Sequence, residues 1–195
     1  MKKTGWLAIG ILSASLLAGC SRPASSPTTA TAQPCDIRMV DTVRDAPTLE
    51  RIEVLRQKLP EKYRRRNNFA WAFAEIEGLE KQEYFSHSGI KSLKDLSSIP
   101  AAQVEGISLR RRNGRFKVLC VNHDDVVEGP DCWPRNVDTE YKILEDMADH
   151  LPDPAAAGHV LLYTDLYPCA SCRNVMAQFL AIYTNVQMQV LFRER

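Results

Sequence analysis

His159-Val-Leu-Leu-Tyr-Thr-Asp-Leu-Tyr-Pro-Cys-Ala-Ser-Cys172 is the stretch from which the rest of this chain can be read. The apolar run His159 to Tyr163 reads as a buried strand. A loop closes at Pro168, and Cys169 opens a helix that continues through Phe179 and Ala181. On that helix Cys169 and Cys172 share one face, within reach of a single ion. The positive end of the helix also lowers thiol pKa, favouring the thiolate that metals bind. Upstream, Asp138-Thr-Glu140 starts another helix, so an acid-x-Glu and a Pro-Cys-x-x-Cys stand at two successive helix starts.

Working outward, the helix capped by Asp138 carries Ile143, Leu144, Met147 and Leu151 on its apolar face and ends at Pro152 and Pro154. After the Cys169 helix, Val186, Met188, Val190 and Phe192 alternate with polar residues as a final strand. Helix, strand, helix, strand in succession predicts an α/β sandwich with helices covering a mixed sheet. Nearer the N-terminus, Leu49, Ile52, Leu55 and Leu59 recur at helical spacing from Pro47 onward. Phe69, Trp71 and Phe73 alternate with small residues up to Gly78, which predicts a strand over 69–77, with a short second strand at Tyr84 to Ser86. Ile107–Leu109 and Arg115–Val121 flank Asn113-Gly114, the strongest hairpin signal in the chain. A polar loop with Gly129, Pro130 and Pro134 fills Val121 to Val137.

The 195 residues carry 25 Lys and Arg against 24 Asp and Glu, so no global field marks a nucleic-acid or membrane-surface binder. Two local basic runs, Arg64-Arg65-Arg66 and Arg110-Arg111-Arg112 with Arg115, read first as solvated faces and second as phosphate contacts. The first residues form a targeting signal: Lys2 and Lys3, then an apolar stretch from Trp6 to Leu17. Leu17-Ala18-Gly19-Cys20 resembles the bacterial lipobox, which implies cleavage before Cys20, a lipid on Cys20 and a membrane anchor. Ser21 in place of Asp implies an outer-membrane destination. Residues 20–34, rich in Ser, Thr, Ala and Pro, read as a disordered tether reaching on the order of 45 Å. The expected organisation is a signal peptide over 1–19, a lipidated tether over 20–34 and one domain over 35–195.

Four readings compete for Cys169 and Cys172. A closed structural zinc site needs a second Cys pair that the chain lacks. A thioredoxin-like pair belongs near the start of its domain, and here only 173–195 follow it. A plain disulfide or buried pair remains open. An open catalytic metal site fits best, and its third ligand would be Asp138, whose bland alternative is an N-cap.

Asp138-Thr-Glu140-Tyr-Lys-Ile-Leu144 followed by Pro168-Cys169-Ala-Ser-Cys172 resembles the zinc deaminases of the cytidine-deaminase-like superfamily, nearest to its bacterial toxin-type branch. Asn68 through Gly78, Ser86-His87-Ser88-Gly89 and Val175-Met-Ala-Gln-Phe179 extend the resemblance. It implies a cytidine-deaminase-like α/β/α sandwich with a mixed central sheet. It also implies zinc (Zn2+) held by Asp138, Cys169 and Cys172, with Asp138 standing where His or Cys is usual. Glu140 would shuttle protons between the attacking water, the ring nitrogen and the leaving amine. His87 and Asn68 would contact the substrate; as a lone residue His87 reads equally well as a structural hydrogen bonder. The implied reaction is hydrolytic deamination of a nucleobase, cytosine first, in nucleic acid or nucleotide. Export makes such a protein a toxin or effector with a possible immunity partner. Two alternatives stay open: an inactive deaminase-fold lipoprotein that binds rather than catalyses, and a periplasmic thiol-disulfide protein. Of the remaining cysteines, Cys120 and Cys132 bracket a loop and could form a disulfide, leaving Cys35.

Overall fold

The computed structural model describes residues 35–194; the expected signal peptide and tether, with Cys20, lie outside the described residues. Strand β1 (Asp36–Met39) is followed by helices α1 (Ala46–Gln57) and α2 (Glu61–Arg64), then by β2 (Phe69–Ile76) and β3 (Glu83–His87). Two short 3₁₀ turns precede a two-stranded ribbon of β4 (Cys120–Val121) and β5 (Trp133–Pro134). The chain then runs α3 (Thr139–His150), β6 (Gly158–Leu166), α4 (Ala170–Ile182) and β7 (Val186–Glu194). The main sheet has the order β1-β7-β6-β2-β3: β7 is parallel to β1 and β6, while β2 is antiparallel to β6 and β3. The expected mixed sheet between helical layers is therefore present. Among the described residues no helix is long and apolar enough to cross a membrane.

The pleat of β2 explains its unusual composition. Ala70, Ala72, Ala74 and Ile76 face one side and join Val160, Leu162, Val190 and the apolar residues of α3 and α4 in one core. Phe69 and Trp71 face the other side and join Phe85, Tyr163 and Leu191 in a second core, closed by Ile52 and Leu55 of α1 and by Leu59. Small residues on the α3 side let that helix lie close to the sheet, and aromatic residues fill the wider gap under α1. Gly158 is forced by the same close packing: a Cβ there would sit 2.1 Å from the carbonyl oxygen of Glu75 on β2.

One expectation needs correction. The hairpin around Asn113-Gly114 does not form, and neither residue takes the positive φ that a type I′ turn requires. Residues 115, 116, 117 and 119 instead give their N–H groups to helix side chains. Arg115 and Phe116 donate to the Glu145 carboxylate, Lys117 to Gln178 and Leu119 to Ser171. Gly114 serves a close approach, since a Cβ would meet Tyr141 Oη at 1.9 Å. Helix α3 buries Ile143, Leu144 and Met147, with Leu151 buried just past its end, the apolar face expected from the sequence. Every residue from Thr139 to Ala148 is buried. Its polar side is wrapped by partners: Asp146 accepts from Lys81 and Ser108, and Lys142 donates to the carbonyls of His87 and Ile90. The Arg110–Arg115 run belongs to that wrapping, with Arg111 paired to Asp146 and Asp149 and Arg115 donating to Ala148 and Tyr183. Strand β1, with no strong sequence signal, is an edge strand recruited by β7.

Candidate metal centre

The N-cap residues of α3 and α4 are Asp138 and Cys169, and neither side chain makes a capping hydrogen bond. Both turn away from their own helices and toward each other. Cys169 Sγ lies 3.3 Å from Asp138 Oδ2, Cys172 Sγ lies 3.4 Å from the same oxygen, and the two sulfurs are 3.4 Å apart. Among the described residues, Asp138, Cys169 and Cys172 form the group of His, Cys, Asp and Glu side chains that could hold a metal ion, their ligand atoms lying within 4.8 Å of one another.

This donor set fits zinc. With ordinary zinc–sulfur and zinc–oxygen bonds, a tetrahedral ion separates two thiolates by about 3.8 Å and a thiolate from a carboxylate oxygen by about 3.5 Å. The triangle here is within a few tenths of an ångström of one such face. Two thiolates and a carboxylate would leave the ion with one excess negative charge. Arg135 Nη1, 4.0 Å from Asp138 Oδ2, lies where it offsets that excess. Without an ion, burial pushes the Asp138 carboxyl above the ordinary carboxylate range. The Cys172 thiol is pushed up by its hydrogen bond with Cys169, by burial and by the carboxylates of Glu140 and Asp138.

Glu140 sits one turn behind, 2 % exposed, with Oε2 3.5 Å from Cys172 Sγ. Burial, and then the neighbouring Asp138 charge, raise its carboxyl above the usual range. Its two oxygens are held separately: Thr139 Oγ1 donates to Oε2 at 2.8 Å and Thr164 Oγ1 to Oε1 at 3.0 Å.

A family-level sequence model of the toxin deaminases, described as the BURPS668_1122 family of deaminases, matches residues 52–194. The chain belongs to this toxin-deaminase family. The match begins within α1 and takes in both helices that carry the Asp138, Cys169 and Cys172 triangle and all strands but β1. No curated protein and no solved structure shows significant similarity to the chain.

Within this deaminase, Asn68 completes the support of Glu140. Its amide nitrogen donates to Thr139 Oγ1 at 2.7 Å and to Thr164 Oγ1 at 2.8 Å, while its oxygen accepts the N–H of Leu166 at 3.1 Å. Two amide hydrogens thus feed two hydroxyls, which feed two carboxylate oxygens. Asn68, expected to touch substrate, is occupied in positioning Glu140. His87, the other expected substrate contact, is fully buried: its Nε2 bonds the carbonyl of Arg66 at 2.7 Å and its Nδ1 accepts from Gly89 N–H. Burial lowers its pKa, so the neutral ring with both nitrogens engaged is a structural hydrogen bonder and has no free nitrogen for a base.

Sequence reasoning missed Thr164, Arg135 and Asp125. Thr164 lies inside the quoted strand yet has no signature of its own. Arg135 stacks over Trp133 at 4.0 Å and donates to the carbonyls of Val121 and Asn122. Asp125 lies in the loop closed by the Cys120–Cys132 disulfide, the pairing the loop spacing suggested. Cys35 is free.

At the C-terminal end of β6, a cleft of about 720 Å³ is lined by Arg56, Arg64, Arg65 and Arg193, with Asp165 and three glutamates in the same lining. Arg56 is spent on Asp165, and Arg64 on the carbonyls of Leu59 and Gln57. The four guanidinium groups are balanced by four carboxylates, so the cleft is not a cationic funnel.

Proposed function

We propose that this toxin-type deaminase is zinc-dependent and removes the exocyclic amine of a nucleobase, cytosine first, in a nucleotide or nucleic acid. The observation that carries the reading is the Asp138, Cys169 and Cys172 triangle with the Glu140 carboxylate beside it. A zinc ion held by those three residues would supply Lewis-acid activation of a water molecule. Glu140 would be the proton carrier, accepting a proton from the attacking water and passing protons to the ring nitrogen and then to the departing amine. Burial favours the protonated carboxyl once the proton is taken, and the two hydroxyl donors keep Oε2 turned toward the thiols.

The thiol-disulfide alternative gives no role to the two carboxylates beside the sulfurs, Asp138 Oδ2 at 3.4 Å and Glu140 Oε2 at 3.5 Å from Cys172 Sγ. The binding-module alternative has no role for a carboxylate held by two hydroxyls next to a ligand triangle. We infer further that the chain is an exported lipoprotein anchored through Cys20, facing the periplasm or delivered to another cell. An immunity protein would then shield the producer.

The test is zinc content and deamination by the purified full chain, beside Asp138→Ala, Cys169→Ala and Glu140→Gln. One zinc per chain, lost in the first two variants and retained in the third, supports the reading. Glu140→Gln should lower kcat by about 10²- to 10⁴-fold while keeping fold and metal. Zinc indifferent to Asp138 would sink the ligand set. Full activity in Glu140→Gln would sink the mechanism.

A further inference from the structure

The two helices that present the ligands have given up their own caps. Asp138 and Cys169 occupy the N-cap positions, yet both side chains point into the triangle. An uncapped N-terminus leaves backbone N–H groups without intrahelical partners and frays readily. For α4 the missing acceptor comes from far away in the chain. Asp125 Oδ1 accepts the N–H of Ala170, the first helical residue, at 2.6 Å. Asp125 Oδ2 accepts from Arg173 Nη2 at 2.8 Å, and Arg173 Nη1 in turn donates to the carbonyl of Pro168 at 2.6 Å. Asp125 and Arg173 therefore bracket Cys169 on both sides.

The loop that carries Asp125 is itself built to hold one shape. Asn122 Oδ1 accepts from the N–H groups of Asp124 and Val126, and Asp125 takes a positive φ of 60°. Val121 pairs with Val127, Glu128 N–H reaches Cys120 O, and the Cys120–Cys132 disulfide closes the base of the loop. Left-handed backbone at Asp is tolerated where local hydrogen bonds favour it, and here it aims the carboxylate at α4. The same ribbon carries Arg135 toward Asp138. One disulfide-framed element thus reaches both ligand-bearing helix starts.

We propose that Asp125 is a positioning residue for the metal centre: acting as a surrogate cap for α4, it seats Cys169, and it depends on the Cys120–Cys132 disulfide to do so. The inference rests on the zinc reading above. A carboxylate at a helix N-terminus gains from the macrodipole as well as from the hydrogen bond. Outer partners of this kind commonly govern metal affinity by about 10- to 100-fold.

The experiment compares full chain, Asp125→Asn, Asp125→Ala, the Cys120→Ser/Cys132→Ser double variant and the combination of Asp125→Ala with that double variant. Three readings are taken: zinc affinity by competition with a chromogenic chelator, the thiolate-to-metal absorption of the cobalt(II) form, and hydrogen exchange at the Ala170 amide without metal. Asp125→Ala should weaken zinc about tenfold or more, alter the cobalt spectrum and speed Ala170 exchange. Asp125→Asn keeps an acceptor for Ala170 and should fall between. The serine double variant should move in the same direction, and adding Asp125→Ala to it should cost less than Asp125→Ala alone. Wild-type affinity and spectrum in Asp125→Ala and Asp125→Asn would overturn the proposal while leaving the zinc reading intact. A wild-type chain that binds no zinc would overturn both.

Discussion

Asn68 orients Glu140 without touching it, through the two hydroxyls that hold its carboxylate. Its two amide hydrogens are consumed by Thr139 and Thr164, and both hydroxyls are thereby oriented to donate to the carboxylate. Asn68→Ala should lower kcat and destabilise the fold by about 1–3 kcal/mol, with zinc content unchanged; denaturant titration and metal analysis separate these effects. Asp45 is a second residue whose carboxylate leaves its own helix start. It accepts two hydrogen bonds from Arg38 and one from Asp41 N–H, tying β1 to α1. The Arg38 hydrogen bonds, aided by the Asp41 N–H, bring its pKa from the ordinary 3.8 down to about 2. A carboxyl depressed in the folded state stabilises the fold above its unfolded pKa, and that contribution is lost as pH falls from about 4 to about 2. Asp45→Asn should therefore be less stable than wild type at neutral pH and lose less stability across that acidic window, as read from urea midpoints at each pH.

At the level of elements, β2 and β6 decide whether the site can assemble. Their antiparallel register sets Ala70 opposite Thr164 and Ile76 opposite Gly158. Gly158→Ala should drive a methyl into the Glu75 carbonyl and destabilise the protein by about 2–3 kcal/mol, visible as a lower urea midpoint with unchanged slope. The register also explains what was legible beforehand and what was not. The strand at 158–166, the helix after Cys169 and the strand at 69–76 are all local periodicities, and all formed. The Asn113-Gly114 signal is equally local, yet Glu145, Gln178 and Ser171 outcompeted a partner strand for the same N–H groups. Hairpin propensity amounts to little beside a buried carboxylate that needs two donors.

Taken whole, the molecule is a toxin-family deaminase in which the Asp138, Cys169 and Cys172 triangle comes from two adjacent helix starts and Glu140 beside it is held in part by Thr164 of the sheet. If its base is cytosine in nucleic acid, production of the chain in the cytosol without export should raise cytosine-to-thymine transitions or arrest growth. Glu140→Gln should abolish both effects, and genome and transcript sequencing would distinguish DNA from RNA as the target. The sequence by itself determined the family, the mixed α/β architecture and the candidate ligands. Cys169 and Cys172 are neighbours on one helix, and Asp138 and Glu140 lie within one turn, so spacing alone exposed them. Only the tertiary structure decided the hydrogen-bond partners of Asn68, Thr164, Asp125 and Arg135, and buried His87 with both ring nitrogens engaged. Asn68 is 96 residues from Thr164 and Asp125 is 45 from Ala170. Their partnerships depend on β6 lying between β2 and β7 and on a disulfide-closed loop reaching α4. No local pattern encodes such a contact, because hydrogen bonding between distant segments is chosen by which backbone the packed core brings alongside.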